Sequence, residues 1–138
     1  MTTIKGGCLC GAIRYSADAA PLMTAACHCK NCQRQSGSAF TVVIAIPKGA
    51  LTFEGGEPAS FADTGDSGLA VKRRFCAGCG SPIYSEAAAT PELDWLKAGS
   101  LDDTSWVQPQ ANIWCESAQP WVPMDAATPR VPRNPPLG

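Results

Sequence analysis

The chain has 138 residues, with 13 glycines, 12 prolines and a formal net charge of −1 at pH 7. Its length suits a single domain with one core, and its glycine and proline content favours short strands and turns, so we predict a mainly β fold. The near-zero charge excludes a global electrostatic field that would gather nucleic acid or anionic lipid, and small-molecule chemistry fits better.

The predicted elements include only one short helix. Residues 39–46 are apolar on both faces and are predicted to form a central strand. Residues 30–36 are predicted to form one or two helical turns that Gly37 ends. Further strands are predicted, in chain order, at residues 12–15, 23–27, 51–54, 59–62, 69–75, 81–85, 93–98 and 110–114, with 39–46, 51–54 and 59–62 following one another as a meander.

The ends of the chain carry separate expectations. Residues 1–7 lack the apolar stretch of a secretory signal, and no run of about 18 apolar residues would span a bilayer. We therefore expect a soluble, cytoplasmic protein without nucleic-acid or membrane partners. One domain is predicted over residues 1–128, and the proline-rich tail 129–138 is expected to trail over the surface or hang loose.

The most informative feature is the placement of the cysteines, since seven of the eight fall into tight clusters. Four disulfides are the alternative, but they need an oxidising compartment, and spacings of C-x-C and C-x-x-C favour a metal such as zinc. The clusters are Cys8 and Cys10; Cys27, Cys29 and Cys32; and Cys76 and Cys79.

The first and last pairs together make a four-cysteine set. Residues i and i+2 of a strand point to one side, so Cys8 and Cys10 can face one ion, and Cys76 and Cys79 have the spacing of a zinc knuckle. Four thiolates fill the coordination sphere of zinc, so we predict a closed structural site that joins two distant parts of the chain.

The middle cluster supplies three thiolates from one short segment, with Cys32 predicted in the first helical turn, where the helix dipole favours a thiolate. Three protein ligands leave one coordination position for water or substrate, which is typical of a catalytic zinc site. Two residues remain candidates to close that position: His28 and the isolated Cys115. A fourth thiolate from Cys115 would make this a second structural site instead.

Three motifs in this order resemble the glutathione-dependent formaldehyde-activating enzyme family, which also includes centromere protein V-like proteins. The motifs are GGCLCGAIRY at residues 6–15, CHCKNCQRQSGSAF at 27–40 and RFCAGCGSPIY at 74–84. The resemblance implies a β-tent fold of small antiparallel sheets that is stapled by zinc.

The same resemblance implies two zinc ions per chain. The structural ion would be held by Cys8, Cys10, Cys76 and Cys79, and the catalytic ion by Cys27, Cys29 and Cys32. It further implies a carbon–sulfur lyase that joins or cleaves the adduct of a thiol such as glutathione and a small aldehyde such as formaldehyde.

Basic and aromatic residues are candidate substrate contacts. Basic side chains near the clusters could anchor the two carboxylates of glutathione, or could instead be solvated or hydrogen-bond the cysteine sulfurs; they are Lys30, Arg34, Arg73 and Arg74. Aromatic rings could line a pocket or belong to the core; they are Trp95, Trp114 and Trp121.

Two other classes of function fit the cysteine pattern. A zinc-stapled β domain can be a protein-binding module without catalysis, because a fold alone does not fix function. The closely spaced Cys27, Cys29 and Cys32 could also release zinc on oxidation and form a disulfide, as a redox sensor does.

Overall fold

A computed structural model describes residues 3–65 and 68–133 of the chain. The fold is mainly β with one seven-residue helix, α1 (Lys30–Ser36), and two short 3₁₀ helices, Ala98–Ser100 and Cys115–Ser117. The strands are β1 (Thr3–Gly7), β2 (Arg14–Asp18), β3 (Met23–Cys27), β4 (Thr41–Pro47), β5 (Thr52–Glu54), β6 (Ala59–Thr64), β7 (Ala70–Phe75), β8 (Pro82–Ala87), β9 (Leu93–Lys97) and β10 (Ala111–Ile113). Among the described residues, no helix has the length and apolar character needed to cross a membrane.

The strands form two sheets. A three-stranded antiparallel sheet has the order β1-β2-β5, and a seven-stranded sheet has the order β10-β3-β4-β9-β8-β7-β6. Neighbours in the large sheet are antiparallel except β10 and β3, which run parallel. The predicted meander is corrected here, because β5 pairs with β2 in the small sheet and the consecutive neighbours are β6 to β9.

The two sheets pack around a main core of apolar side chains. Ile4, Ile13 and Tyr15 come from the β1–β2 hairpin region, and Ile44 and Leu96 come from the centre of the large sheet. Since burial of such side chains contributes roughly 1.5–3 kcal/mol each, this interface is the main source of stability. The core therefore lies on one face of the large sheet and leaves its other face for a second cluster.

β4 confirms the predicted central strand. It lies between β3 and β9. Ile44 and Ile46 pack in the main core, whereas Val43 packs in the second cluster on the other face of the sheet. The helix is also confirmed with its predicted ends: Cys29 is the N-cap, and Gly37 follows in the left-handed conformation with φ 65°. A glycine is favoured there because it has no Cβ to clash.

The described part of the tail, residues 129–133, pairs with β10 rather than hanging loose. The Asn112 N–H donates to Pro129 O at 2.8 Å, and the Val131 N–H donates to Asn112 O at 2.9 Å. The remainder of the predicted tail, 134–138, lies outside the described residues. The division of the chain at residue 128 stays a prediction.

Candidate functional site

The four-cysteine cluster joins two distant turns. Cys8 and Cys10 lie on the turn between β1 and β2, and Cys76 and Cys79 lie on the connection between β7 and β8. The four sulfur atoms are all within 4.8 Å of one another. The four cysteines are those predicted to group together. The predicted strand geometry for Cys8 and Cys10 is wrong, however, because both lie in a turn, which Gly11 allows with its φ of 80°.

Hydrogen-bond donors favour the thiolate form in this cluster. The backbone N–H of Ile13 donates to Cys8 Sγ at 3.3 Å, and the Ser81 hydroxyl lies 3.2 Å from Cys79 Sγ. Hydrogen bonding by Ser81 is the main reason why the pKa of the Cys79 thiol is lowered to about 5. Such donors prepare sulfur atoms to bind a cation.

The three-cysteine cluster is built where β3 meets α1. Cys27 ends β3, Cys29 caps the helix, and Cys32 lies in its first turn, so one short segment turns all three sulfurs inward. Cys32 and Cys27 Sγ are 3.6 Å apart, and the backbone N–H of Cys32 donates to Cys29 Sγ at 3.3 Å. All three side chains are buried, and their sulfur atoms lie within 4.8 Å of one another.

A buried glutamine fixes the segment that carries this cluster. Gln33 Nε2 donates to the backbone oxygens of His28 at 2.7 Å and Ser117 at 3.0 Å, and its Oε1 accepts from Gln119 Nε2 at 2.7 Å. These contacts tie the helix to the chain after β10. The cluster is therefore held by residues nearly 90 positions apart in sequence.

Two cations accompany the three sulfurs. Arg73 Nη1 lies 3.7 Å from Cys32 Sγ, and the same guanidinium donates to Asp63 Oδ2 at 2.9 Å and Gln35 Oε1 at 3.2 Å. Lys97 is only 5% exposed. Burial lowers the pKa of Lys97, while the nearby cysteines oppose that shift.

The surroundings of the three cysteines shift their pKa values in opposite directions. The pKa of Cys32 is lowered, first by hydrogen bonds with Cys27 and Cys29 and then by the charges of Lys97 and Arg73. Hydrogen bonds with Cys29 and Cys32, together with burial, raise the pKa of Cys27. These shifts favour the thiolate form at Cys32 and the neutral thiol at Cys27.

Sequence reasoning missed Lys97, because no motif contains it. The β4–β9 register pairs it with Val43, whose side chain lies in the same cluster as Cys27. Across β7, β8 and β9 the register likewise aligns Arg73, Ser85 and Trp95. Only strand pairing shows that these residues share the face on which the sulfurs lie.

The two candidates for a fourth ligand stay outside the group of clustered sulfurs. His28 is buried, its Nε2 lies 2.9 Å from Asn112 Oδ1, and its ring packs against Phe40 with centroids 5.2 Å apart. Cys115 Sγ donates to Asn112 O at 3.3 Å. Among the described residues, the group with ligand atoms within 4.8 Å contains only Cys27, Cys29 and Cys32.

A cavity of about 340 Å³ opens over the three sulfurs. Ligand pockets are commonly about 300–1,000 Å³, so this one suits a small molecule. Lys97 and Arg73 are its only basic lining residues in the described chain. Its larger apolar lining residues are Val43, Leu69, Val71, Trp95, Ile113 and Trp114.

The other candidate contacts lie elsewhere. Lys30 and Arg34 are exposed and do not line the cavity, and Arg74 donates to Glu86 Oε2 at 2.8 Å. Trp121 is 69% exposed and is also outside the cavity lining. Of the seven basic and aromatic candidates, the structure therefore brings Arg73, Trp95 and Trp114 to the cavity.

The fold and the two clusters define a mainly β protein with one closed and one open set of thiol ligands, each able to hold a metal ion. A family model described as glutathione-dependent formaldehyde-activating enzyme matches residues 3–117. The chain belongs to this family, and the resemblance seen in its motifs is confirmed.

Similar curated proteins carry the same family name. One from Fusarium vanettenii is 26% identical over 88 residues, which are 62% of this chain and 46% of the relative. One from Aspergillus flavus is 28% identical over 88 residues, which are 62% of this chain and 45% of the relative. The matched region is thus less than half the length of these relatives.

The fold is also found in a solved structure. A crystal structure of a Rhodobacter sphaeroides protein superposes with a TM-score of 0.58, covering 76% of this chain and 91% of that one. The sequences are 20% identical, so the likeness establishes the fold alone.

Proposed function

We propose that this chain is a zinc-dependent enzyme that forms or cleaves the carbon–sulfur bond between a thiol and a small aldehyde. Glutathione and formaldehyde are the substrate pair that the family name suggests. In this proposal Cys27, Cys29 and Cys32 hold the catalytic ion, and Cys8, Cys10, Cys76 and Cys79 hold a structural ion. The main support is that all three sulfurs of the open cluster line the cavity.

The sulfur spacings fit tetrahedral zinc. A Zn–S bond of about 2.3 Å implies sulfur atoms about 3.8 Å apart at the corners of a tetrahedron. The measured separations are 3.6 Å for Cys8 and Cys10, 3.7 Å for Cys10 and Cys76, and 3.6 Å for Cys27 and Cys32. A disulfide would need about 2.0 Å, and all eight cysteines are free thiols.

The overall reaction transfers one proton and makes one bond. The thiol sulfur attacks the carbonyl carbon, and the thiol proton ends on the former carbonyl oxygen, giving a hydroxymethyl thioether; cleavage is the reverse. Zinc, when bound, would stabilise a substrate thiolate or polarise an aldehyde oxygen.

The chain's own residues prepare this chemistry. The charges of Lys97 and Arg73 lower the pKa of Cys32 and so favour the thiolate form in which it would bind a metal ion. Trp95, Trp114 and Val43 give the cavity apolar walls that would hold the two reactants together. Positioning is the contribution that these residues would make to the rate.

The test is exchange NMR of metal-loaded protein with glutathione and formaldehyde. Acceleration above the spontaneous reaction is expected for the wild type and for Cys115→Ser, and it should be lost in Cys29→Ser. Absence of acceleration in the wild type, with both ions bound, would exclude this substrate pair. Retained acceleration in Cys29→Ser would contradict the assignment of the catalytic site.

A further inference from the structure

Among the described residues, the two basic side chains that line the cavity above the three sulfurs already face negative charge. A divalent ion with three thiolates carries one net negative charge, which Lys97 offsets, while Arg73 already binds Asp63 at 2.9 Å and Gln35 at 3.2 Å. Glutathione has two carboxylates. Without a cationic partner in the cavity, each carboxylate would have to be buried unpaired or stay in solvent. Burial of an unpaired charge is strongly unfavourable.

The walls favour an apolar body instead. Trp95 and Trp114 offer aromatic surface, and Val43, Val71 and Ile113 supply branched aliphatic side chains. An aromatic ring of a ligand would bury apolar surface against these side chains and could stack favourably on the tryptophan rings. The volume of about 340 Å³ is near the lower end of the range for ligand pockets, about 300–1,000 Å³.

Among the described residues, a fully buried hydroxyl in the cavity lining lacks a hydrogen-bond partner. Ser85 is 5% exposed, and its Oγ is buried without a hydrogen bond from any described residue. By contrast, the hydroxyl of Thr90 accepts from Trp95 Nε1 at 2.9 Å. An orphaned buried hydroxyl is costly, so a ligand with a single hydrogen-bonding oxygen would match this cavity well.

We propose that the thiol handled at this site has an apolar body, aromatic or branched aliphatic, with the hydroxyl of its aldehyde adduct facing Ser85. The inference rests on the proposed carbon–sulfur chemistry and narrows its substrate class. A benzyl-type thiol fits this description better than a charged tripeptide thiol such as glutathione does.

Binding is measured first, with probes that cannot react. Zinc-loaded protein labelled at the methyl groups of valine and isoleucine is titrated with benzyl methyl sulfide and, separately, with S-methylglutathione. Shifts at Val43, Val71 and Ile113 report occupancy of the cavity. We expect the sulfide to bind at least about tenfold tighter. Equal or tighter binding of S-methylglutathione, or no shifts with the sulfide, would overturn the inference.

A matched pair of variants tests the missing cation. Leu69 is 48% exposed and lines the cavity, whereas Leu22 is 60% exposed and lies outside its lining. Leu69→Lys is expected to tighten S-methylglutathione binding about threefold or more and to weaken sulfide binding, while Leu22→Lys changes neither. Because the first effect is a gain, misfolding cannot produce it. If Leu69→Lys keeps the wild-type preference for the sulfide over S-methylglutathione, the lack of a cation does not explain that preference.

Turnover separates this inference from the proposed function. Phenylmethanethiol and glutathione are each mixed with formaldehyde, and exchange rates are compared with the spontaneous rate of the same thiol. We expect about tenfold greater acceleration for phenylmethanethiol. If glutathione is accelerated more, the inference fails and the proposed function stands. If neither is accelerated while the sulfide binds, the proposed function fails and only the apolar preference of the cavity remains.

Discussion

The four-cysteine cluster makes a quantitative prediction about stability. Cys10 and Cys76 are 66 residues apart in sequence, yet their sulfur atoms lie 3.7 Å apart. If one ion joins the two turns, it restricts the unfolded chain much as a disulfide would. The disulfide relation for a loop of that length gives about 4 kcal/mol at 25 °C. For a domain with a total stability of about 5–15 kcal/mol, that is a large share.

The perturbation is the double variant Cys10→Ala/Cys79→Ala. Cys10 is exposed and Cys79 is only partly buried, so the variant removes two ligands with little loss of core packing. We expect its free energy of unfolding to fall by about 4 kcal/mol in urea at saturating zinc. Cys115→Ala, whose sulfur lies outside both clusters, is the control and should change stability by less than about 1 kcal/mol.

The result that would refute this reasoning is a loss below about 1 kcal/mol in the double variant. It would mean that the four sulfurs do not restrain the chain through a shared ion. A second measurement, zinc content by mass spectrometry, shows whether the ion was lost. Loss of zinc without loss of stability would show that the bound ion does not stabilise the fold by linking the two turns.

Three further predictions concern the other cluster and the surface. Cys32→Ser should remove one of two bound zinc ions per chain while circular dichroism stays unchanged; retention of both ions would contradict the ligand assignment. Gln33→Leu, which leaves the backbone oxygens of His28 and Ser117 unpaired, should lower the free energy of unfolding by about 2–4 kcal/mol in urea, and a change below about 0.5 kcal/mol would show that this contact is dispensable. Although burial raises the pKa of Glu86, its cationic partners outweigh that effect and lower it. The ionised carboxylate should therefore stabilise the fold above about pH 5, and this stabilisation should be lost as the pH falls further. The melting temperature of Glu86→Gln should then fall less than that of the wild type between about pH 6 and pH 3.5. Parallel curves for the two proteins would contradict a stabilising role of the Glu86 carboxylate.

The features that sequence predicted well are local in the chain. The end of α1 follows from Gly37, which comes directly after the last helical residue. β4 is recognised because a central strand is covered on both faces, so consecutive residues along it are apolar. The cysteine clusters are visible because their members come in pairs or triplets within a few residues.

The features that sequence did not show depend on pairing between distant segments. β1 contains two glycines in five residues and reads as a turn, yet it becomes a strand because β2 pairs with it along its length. β5 joins the small sheet through register with β2, and periodicity carries no information about its partner. Lys97 lines the cavity of the three cysteines because β9 lies beside β4 and pairs Lys97 with Val43.

The segment that pairs with β10 determines which backbone groups this border of the sheet offers to another molecule. Residues 129–133 run along the outer side of β10, where they use the backbone groups of Asn112. An open strand at that border would offer unpaired N–H and C=O groups to another molecule. Pro129 O and Val131 N–H are already used by Asn112, and Pro132 has no N–H, so this border offers few backbone groups with which another molecule could pair.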